Sequence, residues 1–323
     1  MSAPADTTDV PEIGTFAPFG GFDDAVEAAE AIGVDSGATL VKLCVRAPGG
    51  GLHFATWPSP SRERLVTLIE RLSPERLAIT GCGTAALLED LGREARTPIE
   101  FDAWGRGANA ILAAAGLASE DPYLLVSIGT GTSALRVEGD RVERVGGTAL
   151  GGGTALGLGL ALTGCRSHAE LVELASRGER GTVDLLISDI YGETDIPIAS
   201  EATAASFGKL ARTLHRPDAP EAVDPRRLLP AAPPKPEDLA AAIMGLVAEN
   251  IALIAIARAT VAGVSRVVYG GSTLYENASI IETVRLLTSL MGLEAIVLPY
   301  SGHAGALGAM LIGTDATTLD PAR

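Results

Sequence analysis

The sequence predicts an α/β protein built from two lobes. Strand patterns alternate with helix patterns along the 323 residues, which is typical of α/β folds. A strand, a Gly-containing turn and a second strand occur around Asp35, and the same pattern returns around Gly129, which indicates two related lobes. Hydrophobic residues make up 47% of the chain and charged residues 20%, so a large core can form and wholesale disorder is excluded.

The domain boundaries follow from composition and from this repeat. We expect an N-terminal extension at 1–30, a first α/β lobe at 31–120 and a second α/β lobe at 121–323. The extension is polar and carries a short helical pattern at 24–31, and we expect it to pack loosely. Seven prolines in 216–236 disfavour regular structure and predict an inserted loop within the second lobe.

The first lobe is expected to open with a hairpin around an Asp-Ser-Gly turn, because two apolar runs flank that turn. The leucines and isoleucine of 62–72 share one helical face, which predicts an amphipathic helix. The expected strands are 32–34, 40–45, 53–57 and 77–80, and the expected helices are 62–72, 84–91 and 105–116. Glu100 and Asp102 flank Phe101 in a segment that we interpret as extended.

The second lobe is expected to repeat the strand, Gly turn and strand from Tyr123 onward, with a further turn at Gly139 and Asp140. A long apolar helix is predicted at 237–263 and a Gly-punctuated helix at the end of the chain. The remaining expected helices are 167–177, about 182–190 and 276–291, and the remaining strands are 266–270 and 294–298.

Charge and cysteine content exclude several classes of protein. The formal net charge is −15 and the pI is near 4.7, which argues against a general nucleic-acid or anionic-membrane binder. Cys44, Cys82 and Cys165 are an odd number without metal-type spacing, so neither a disulfide framework nor a zinc site is expected. The first residues lack a secretory signal pattern. The uncharged stretch 145–165 contains eight glycines and would make a poor membrane helix, so we expect a cytoplasmic protein without a membrane span.

The first Gly turn carries the residues expected of a phosphate site. A turn of this kind presents backbone N–H groups and a hydroxyl to phosphate oxygens. The carboxylate of Asp35 suits a magnesium-bound water, and Lys42 follows on the next strand. A plain hairpin turn with a solvated lysine is the alternative. The turn consists of Asp35, Ser36, Gly37, Ala38 and Thr39.

Three further Gly turns lie at predicted strand or helix ends, where small residues let the backbone approach a ligand closely. Free N–H groups at the start of the helix after the triple glycine would favour an anion. None of the turns is a Walker loop or a G-x-G-x-x-G motif, and each could instead be purely structural. The candidate ligand-binding residues are Gly129, Thr130, Gly131 and Thr132, then Gly151, Gly152 and Gly153, and finally Gly271 and Ser272.

Among the other polar residues, Glu89 and Asp90 follow a Gly turn, and Arg144 precedes two glycines and could bind a carboxylate. No Ser-His-Asp or Cys-His arrangement is legible. The four histidines lack metal-ligand spacing and are expected to be structural; they are His53, His168, His215 and His303.

These motifs resemble the type II pantothenate kinases of the acetate and sugar kinase/Hsp70/actin superfamily. The resemblance is carried by VSIGTGTSALRV, RVGGTALGGGTALGLGLALTG, SRGERGTVDLLISDIYG and ATAASFGKL. VDSGATLVK is similar to the first phosphate loop of the family, and ITGCGTAALLEDL to the segment that carries its catalytic acid. VVYGGSTLYENASI is similar to the adenosine side. The resemblance implies a two-lobed actin-like ATPase (RNase H-like) fold.

The family resemblance also implies the reaction, in which pantothenate receives the γ-phosphoryl group of ATP in the presence of Mg²⁺. Glu89 matches the general base of the family, with Asp90 as the runner-up if the register slips by one residue. Arg144 matches the arginine that grips the pantothenate carboxylate, and Ser127 and Thr130 match residues that line that site. The resemblance further implies a homodimer, with Ala204, Ala205, Ser206 and Phe207 closing near the partner's substrate site, and CoA or acyl-CoA as a candidate inhibitor.

Two residues depart from the family pattern, which has glycine at the positions of Ala38 and Cys82. The methyl group of Ala38 would strain the turn if φ were positive there, and Cys82 could narrow the pocket. These departures leave two alternatives open. One is a kinase for a related small molecule such as pantoate, a pantothenate derivative or a sugar. The other is a non-catalytic regulator that binds a nucleotide or acyl-CoA.

Overall fold

The computed structural model describes residues 13–191, 202–211 and 234–316. Most of the predicted Pro-rich loop at 216–236 lies outside the described residues, as do the first twelve residues of the predicted extension. The described part contains two five-stranded sheets and a small two-stranded one. The division of the chain at residue 120 stays a prediction.

The first sheet has the strand order β1-β4-β3-β2-β5. Strands β2, β3 and β4 form an antiparallel meander, and β5 runs parallel to β2. Helices α1 and α2 cover one face of this sheet through an apolar cluster that includes Leu65, Ile69 and Leu87. The bounds are β1 Thr15–Phe16, β2 Ala31–Ser36, β3 Leu40–Arg46, β4 Leu52–Pro58, α1 Arg62–Leu72, β5 Arg76–Thr80 and α2 Thr84–Leu91.

The second sheet has the order β12-β11-β6-β7-β8 and repeats the plan of the first in four strands, with its fifth strand at the opposite edge. Strands β6, β7 and β8 form an antiparallel meander, and β11 runs parallel to β6. The predicted relation between the two lobes therefore appears in the strand order. The helices and strands of this part of the chain are α3 Glu100–Ala114, β6 Tyr123–Ile128, β7 Thr132–Glu138, β8 Arg141–Thr148, α4 Gly152–Thr163, α5 His168–Ala175, β9 Leu185–Leu186, α6 Ser188–Tyr191, β10 Thr203–Ala205, α7 Gly208–Ala211, α8 Pro236–Ala262, β11 Arg266–Gly270, α9 Ala278–Leu290, β12 Glu294–Val297 and α10 Ala304–Gly313.

Helices α3 and α10 lie between the two sheets and join them into one core. Their apolar cluster includes Phe54 from the first sheet, Ile111 and Leu307 from the two helices, and Leu125 and Val268 from the second sheet. The helices cross at glycines, where side chains would keep the backbones apart. A Cβ atom on Gly107 would clash with the backbone of Ala304, and one on Gly308 would clash with the backbone of Ala103.

Helix α8 forms the core on the opposite face of the second sheet. It begins at Pro236 with Glu237 and Asp238 in its first turn, and it ends at Gly263 in the left-handed conformation, in keeping with ordinary helix termini. Its 27 residues are long and apolar enough to span a bilayer, but 67% of its most apolar window is buried inside the protein. The helix is therefore explained as a core element. The expectation of a cytoplasmic location stays a prediction.

Three expectations about local structure are wrong. No helix forms at 24–31; Val26 and Ala29 are instead buried against α1 and the first sheet, so the described part of the extension is well packed. Residues 182–190 hold a short turn, β9 and the start of α6 rather than one helix. Glu100 and Asp102 lie in the first turn of α3 and not in an extended segment. Two residues apart on a helix, they do not share a face.

Candidate active site

The first Gly turn joins β2 to β3 and begins with a buried ion pair. Asp35 lies directly opposite Lys42 in the antiparallel ladder, and Lys42 Nζ is 3.6 Å from Asp35 Oδ2. Both residues are buried, so each charge is held beside its counter-charge in a site of low dielectric constant. The N–H group of Gly37 donates to the Leu40 carbonyl at 3.1 Å and closes the turn. The structure thus brings the predicted aspartate and lysine together beside the turn.

Ala38 does not strain this turn. It is exposed, and its φ angle is not among the positive values found in the chain. A methyl group therefore fits without the penalty that a left-handed conformation would impose. The difference from glycine at this position gives no physical reason to doubt phosphate binding.

A second turn, at residues 81–83, packs against the first turn. The N–H group of Gly83 donates to the Ser36 carbonyl at 2.9 Å, and Gly81 has a φ of +93°. A Cβ atom on Gly83 would clash with the Ser36 hydroxyl, so only glycine permits this approach. Cys82 is exposed, with its Sγ 3.8 Å from the Ser36 carbonyl. Its side chain thus contacts the first turn, and the narrowing of the pocket by Cys82 stays a prediction.

The Gly turn of the second lobe meets the turn of the first lobe. Residues 129–131 join β6 to β7, and the Thr130 hydroxyl lies 2.9 Å from the Thr39 hydroxyl. These two threonines are 91 residues apart in the sequence. The predicted convergence of small-residue turns from both lobes is therefore present in the fold.

The triple glycine at the start of α4 supports the second-lobe turn. Gly152 N donates to the Gly129 carbonyl at 2.8 Å, and Gly153 N donates to the Thr130 carbonyl at 3.0 Å. The expectation that these amides remain available to an anion is therefore wrong, because the turn itself uses them. A Cβ atom on Gly151 would lie 2.7 Å from the Thr130 carbonyl oxygen, so this glycine permits close packing.

The other hydroxyl of the second-lobe turn is also engaged. Thr132 is buried, and its Oγ1 donates to the Leu150 carbonyl at 2.7 Å. Gly129 N donates to the Gly131 carbonyl at 2.9 Å. The exposed side chain of this turn is Thr130, which points at the first lobe.

The turn after β11 completes the second-lobe side of the site. Gly271 has a φ of +121° and packs against the backbone of Ile128, and Thr273 Oγ1 donates to the Gly129 carbonyl at 3.0 Å. The turns that hold Gly129 and Ser272 thus lie together at the carboxyl ends of the parallel strands β6 and β11. Ligands of open α/β sheets bind at such ends.

Glu100, not Glu89, is the glutamate that the structure brings to the ion pair. Burial raises the pKa of the Glu100 carboxyl, the charge of Asp35 raises it further, and the charge of Lys42 lowers it. Glu89 is exposed on α2 and makes no hydrogen bond or ion pair with a described residue. Asp90, also exposed on α2, pairs with Arg62 of α1 at 3.4 Å. A general base must reach its substrate within about 3 Å. Glu100 is also exposed, but it feels the charges of Asp35 and Lys42, which makes it the stronger candidate for the base. The assignment to Glu89, with Asp90 as the alternative, stays a prediction.

Sequence reasoning missed Glu100 because the segment was interpreted as extended. The available signal was Pro98, which lies just before a run with two acidic residues and apolar positions at helical spacing. Ile99 takes an extended conformation and α3 starts at Glu100, so the acid stands at the positive end of a helix.

Arg144 lies close to the same helix turn. Its guanidinium carbon is 6.0 Å from the centre of the Phe101 ring, and among the described residues it forms no ion pair. The bulge of β8, where Leu135 pairs with Arg144 and Ala134 with Gly146, leaves Val145 as the extra residue. An exposed guanidinium without a counter-charge, next to the helix turn that carries Glu100, is free to take a carboxylate.

Two further predicted residues have different surroundings. Ser127 is half-buried on β6, opposite Ser133, one strand position before the end of β6 at Ile128. Ala205 lies on β10, exposed, in the small sheet with β9. No described contact joins Ala205 to the two turns of its own chain.

A magnesium ion fits the donor set at Asp35. The described residues contain no group of three or more His, Cys, Asp or Glu side chains that could enclose a metal. Mg²⁺ does not need such an enclosure, because it is usually held by one or two carboxylates together with substrate phosphates and water. The carboxylates of Asp35 and Glu100 lie near each other beside the first turn.

Comparison with family models gives one match. The Fumble family model matches residues 108–312, which is more than half of the chain.

Curated relatives match a larger part of the chain. The type II pantothenate kinase of Staphylococcus aureus strain MRSA252 is 31% identical over 282 residues, covering 87% of this chain and 99% of the relative. The type II pantothenate kinase of strain USA300 is 31% identical over 281 residues, with 87% and 98% covered.

Solved structures with the same fold are more distant in sequence. The activator of the 2-hydroxyisocaproyl-CoA dehydratase from Clostridium difficile with bound ADPNP has a TM-score of 0.55 at 20% identity, covering 88% of this chain and 94% of the other. Component A of the (R)-2-hydroxyglutaryl-CoA dehydratase from Acidaminococcus fermentans has a TM-score of 0.54 at 17% identity, with 88% and 97% covered. These similarities confirm the predicted two-lobed actin-like ATPase fold.

Proposed function

The chain belongs to the type II pantothenate kinase family, and from this premise we propose that it transfers the γ-phosphoryl group of ATP to the primary hydroxyl of pantothenate. The product is 4′-phosphopantothenate, and the reaction is the first step of coenzyme A biosynthesis. ATP and Mg²⁺ are the cofactors. The observation that carries the proposal is the approach of Thr39 to Thr130, because it sets the Gly turns of both lobes beside one ion pair and one glutamate.

We propose that the two turns cradle the phosphates of ATP. The backbone of the first-lobe turn at 35–39 and the Thr130 hydroxyl line the gap between the lobes. Lys42 neutralises the charge that develops on the transferred group, which is the main catalytic requirement of phosphoryl transfer. Asp35 holds the magnesium ion, which neutralises phosphate charge when it is bound.

In the same proposal, Glu100 accepts the proton of the pantothenate hydroxyl. Desolvation and the charge of Asp35 raise the pKa of this carboxyl, which makes its carboxylate a stronger base than one in water, while the charge of Lys42 lowers the pKa. Arg144 binds the pantothenate carboxylate on the other side of Phe101. A substrate held at both ends presents its hydroxyl in a fixed direction, which lowers the entropic part of the barrier.

The test is a coupled assay of ADP release with purified protein, ATP and Mg²⁺. We expect release that depends on pantothenate and a product with the mass of 4′-phosphopantothenate. Pantoate, pantothenate derivatives and hexoses form the comparison panel. Faster release with one of these acceptors would contradict pantothenate as the substrate. Tight binding of CoA without turnover of any acceptor would contradict kinase activity and favour a regulator.

We also propose a homodimer in which Ala205 and the exposed residue Ala204 face the partner's acceptor site. Their exposure on β10, away from the turns of their own chain, supports this arrangement. Sedimentation should give about twice the chain mass of 33.0 kDa. A monomer with full activity would contradict the proposal.

CoA or its thioesters are proposed as inhibitors that compete with ATP. Apparent inhibition that weakens as ATP is raised would support this, whereas inhibition independent of ATP concentration would contradict it.

A further inference from the structure

The segment 300–303 connects the two halves of the nucleotide site. Gly302 lies against the turn after β11, since a Cβ atom there would be 3.5 Å from Ser272 Cα. Tyr300 stacks on Phe16 of the first lobe, with ring centres 4.5 Å apart. Helix α10 then begins at Ala304 and packs on β2. One short segment therefore contacts a nucleotide turn of the second lobe and the sheet of the first.

His303 is the residue of this segment that reaches furthest into the first lobe. Its Nε2 lies 3.0 Å from the Thr56 hydroxyl, and its ring also hydrogen-bonds to the backbone of Ala55. The rings of Phe16 and Phe54 meet the imidazole edge to face at 5.4 and 5.3 Å. Hydrogen bonds and ring contacts on several sides give the imidazole one orientation.

Thr56 is the direct cross-strand partner of Lys42 in the ladder of β3 and β4. Side chains that stand opposite each other share a face of a sheet, and here that face carries Asp35, Lys42 and Thr56 together. The Lys42 ammonium lies close to Gly37, where a Cβ atom would be 3.5 Å from Nζ. The position of this lysine therefore depends on the strand pair that His303 contacts.

The imidazole is neutral where it stands. Burial lowers the pKa of His303 to about 4, and the charge of Lys42 lowers it as well, against a smaller raising effect of the Ala55 backbone. A neutral ring can pack beside the ammonium without adding a repelling charge.

We propose that His303 is a positioning residue for Lys42. Through its hydrogen bond to Thr56, it fixes the pair of strand positions from which the Lys42 ammonium reaches the phosphates. The segment of His303 also connects this pair to the nucleotide turn of the second lobe. The inference rests on the proposed function, because Lys42 acts there on ATP. It assigns a role to a residue that the sequence pattern left as structural.

The experiment is a double-mutant cycle read by calorimetric binding of a non-hydrolysable ATP analogue with Mg²⁺. His303→Phe keeps an aromatic ring against Phe16 and Phe54 but removes both hydrogen bonds. We expect it to weaken binding about three- to tenfold, the range for loss of the single bond to Thr56, because Thr56 is the residue opposite Lys42. His303→Gln places an amide near the position of Nε2, where it can bond to Thr56, and should recover most of the loss. In a Lys42→Ala background, His303→Phe should weaken binding no further.

Equal weakening by His303→Phe in both backgrounds would overturn the proposal. In that case the loss of binding free energy from His303→Phe would not depend on Lys42, as expected of a merely structural role. Unchanged affinity of His303→Phe in the wild-type background would overturn it too. Thermal unfolding of each variant is measured alongside. If His303→Phe does not fold, Thr56→Val removes the same hydrogen bond from the other partner and carries the same expectation.

The binding readout separates this inference from the proposed function. A wild-type protein that binds the analogue but does not phosphorylate pantothenate contradicts the proposed function, while the cycle still decides the role of His303. A wild-type protein that binds no nucleotide contradicts both.

Discussion

At the scale of single residues, two glutamates of similar sequence context have different surroundings. Both are exposed, but Glu100, at the start of α3, feels the charges of Asp35 and Lys42, whereas Glu89 lies in the second turn of α2. The choice of catalytic base depends on which strand and helix ends meet. Sequence order alone leaves both candidates open.

Glu100→Gln removes the proton acceptor and keeps the shape of the side chain. We expect kcat to fall about 10²-fold or more, the usual contribution of a general base, with little change in the affinity for ATP. Glu89→Gln is the matched control and should leave kcat unchanged. Steady-state kinetics at saturating ATP and pantothenate provide the measurement. A large loss in the control with a small loss in Glu100→Gln would return the role to Glu89.

Arg144→Ala tests the acceptor end of the site. Loss of a charge-assisted contact to a carboxylate should raise the KM for pantothenate about 10- to 100-fold. The KM for ATP should change little, because the guanidinium lies near Phe101 and not at the turns. Arg144→Lys should fall between, since an ammonium cannot bind a carboxylate in the same two-pronged geometry. An unchanged KM for pantothenate in Arg144→Ala would show that the carboxylate is bound elsewhere.

At the scale of elements, the crossing of α3 and α10 determines how the lobes are joined. Both helices contain glycines, although glycine has a low helix propensity and is unfavourable in a helix interior. The glycines are explained by contact: Gly107 abuts Ala304 and Gly308 abuts Ala103, backbone to backbone. Packing between the helices thus accounts for the glycines within them.

Gly107→Ala and Gly308→Ala should each lower the free energy of unfolding by about 2 kcal/mol or more, because rigid backbone cannot move aside for the added methyl group. Gly157→Ala is the control, since the position lies within α4 and a Cβ atom there meets nothing within 4 Å. This control should be neutral or stabilising by up to about 1 kcal/mol. Urea unfolding measures all three. Equal effects at the three positions would contradict the close crossing.

At the scale of the whole molecule, the nucleotide site exists only where the lobes meet. The Thr39–Thr130 contact and the segment 300–303 join parts of the chain that are far apart in sequence. A change in the contacts between the lobes should therefore affect the free energy of unfolding of the whole protein as well as its activity. His303 offers a way to measure this, because it is half-buried at the junction and contacts Thr56 of the first sheet.

The pKa of His303 predicts a pH dependence of stability. Its folded-state value of about 4 lies below the ordinary value of 6.5, so the folded protein favours the neutral ring. The contribution to stability is fully present above pH 6.5 and is lost as the pH falls from there toward 4. The loss should be on the order of 3 kcal/mol, because about 2.5 pKa units separate the two values. Lys42 is the charged group that faces the ring.

The measurement is the free energy of unfolding in urea between pH 7 and pH 4, for the wild-type protein and for His303→Phe. Carboxylates titrate in both proteins, so the difference between the two curves isolates the histidine. That difference should shrink toward pH 4. A constant difference across the range would show that His303 does not resist protonation in the folded state.

The sequence by itself determined the local features of this protein. Apolar periodicity predicted α1 and α2 over their observed residues, and β2, β3 and β11 were found where alternating or continuous apolar runs lie between turn residues. The repeated strand–turn–strand pattern predicted two related lobes, and the family resemblance gave the actin-like fold. Short-range patterns succeed here because they depend on neighbours within a few residues of each other.

Only the tertiary structure decided which of the candidate residues meet. It placed Glu100 beside Asp35 in place of Glu89, gave the amides of Gly152 and Gly153 to the neighbouring turn, and brought His303 to the strand that carries Thr56. Such contacts depend on how helices cross and where strands end. Each is formed by groups tens or hundreds of residues apart, and no local pattern in the chain encodes that distance.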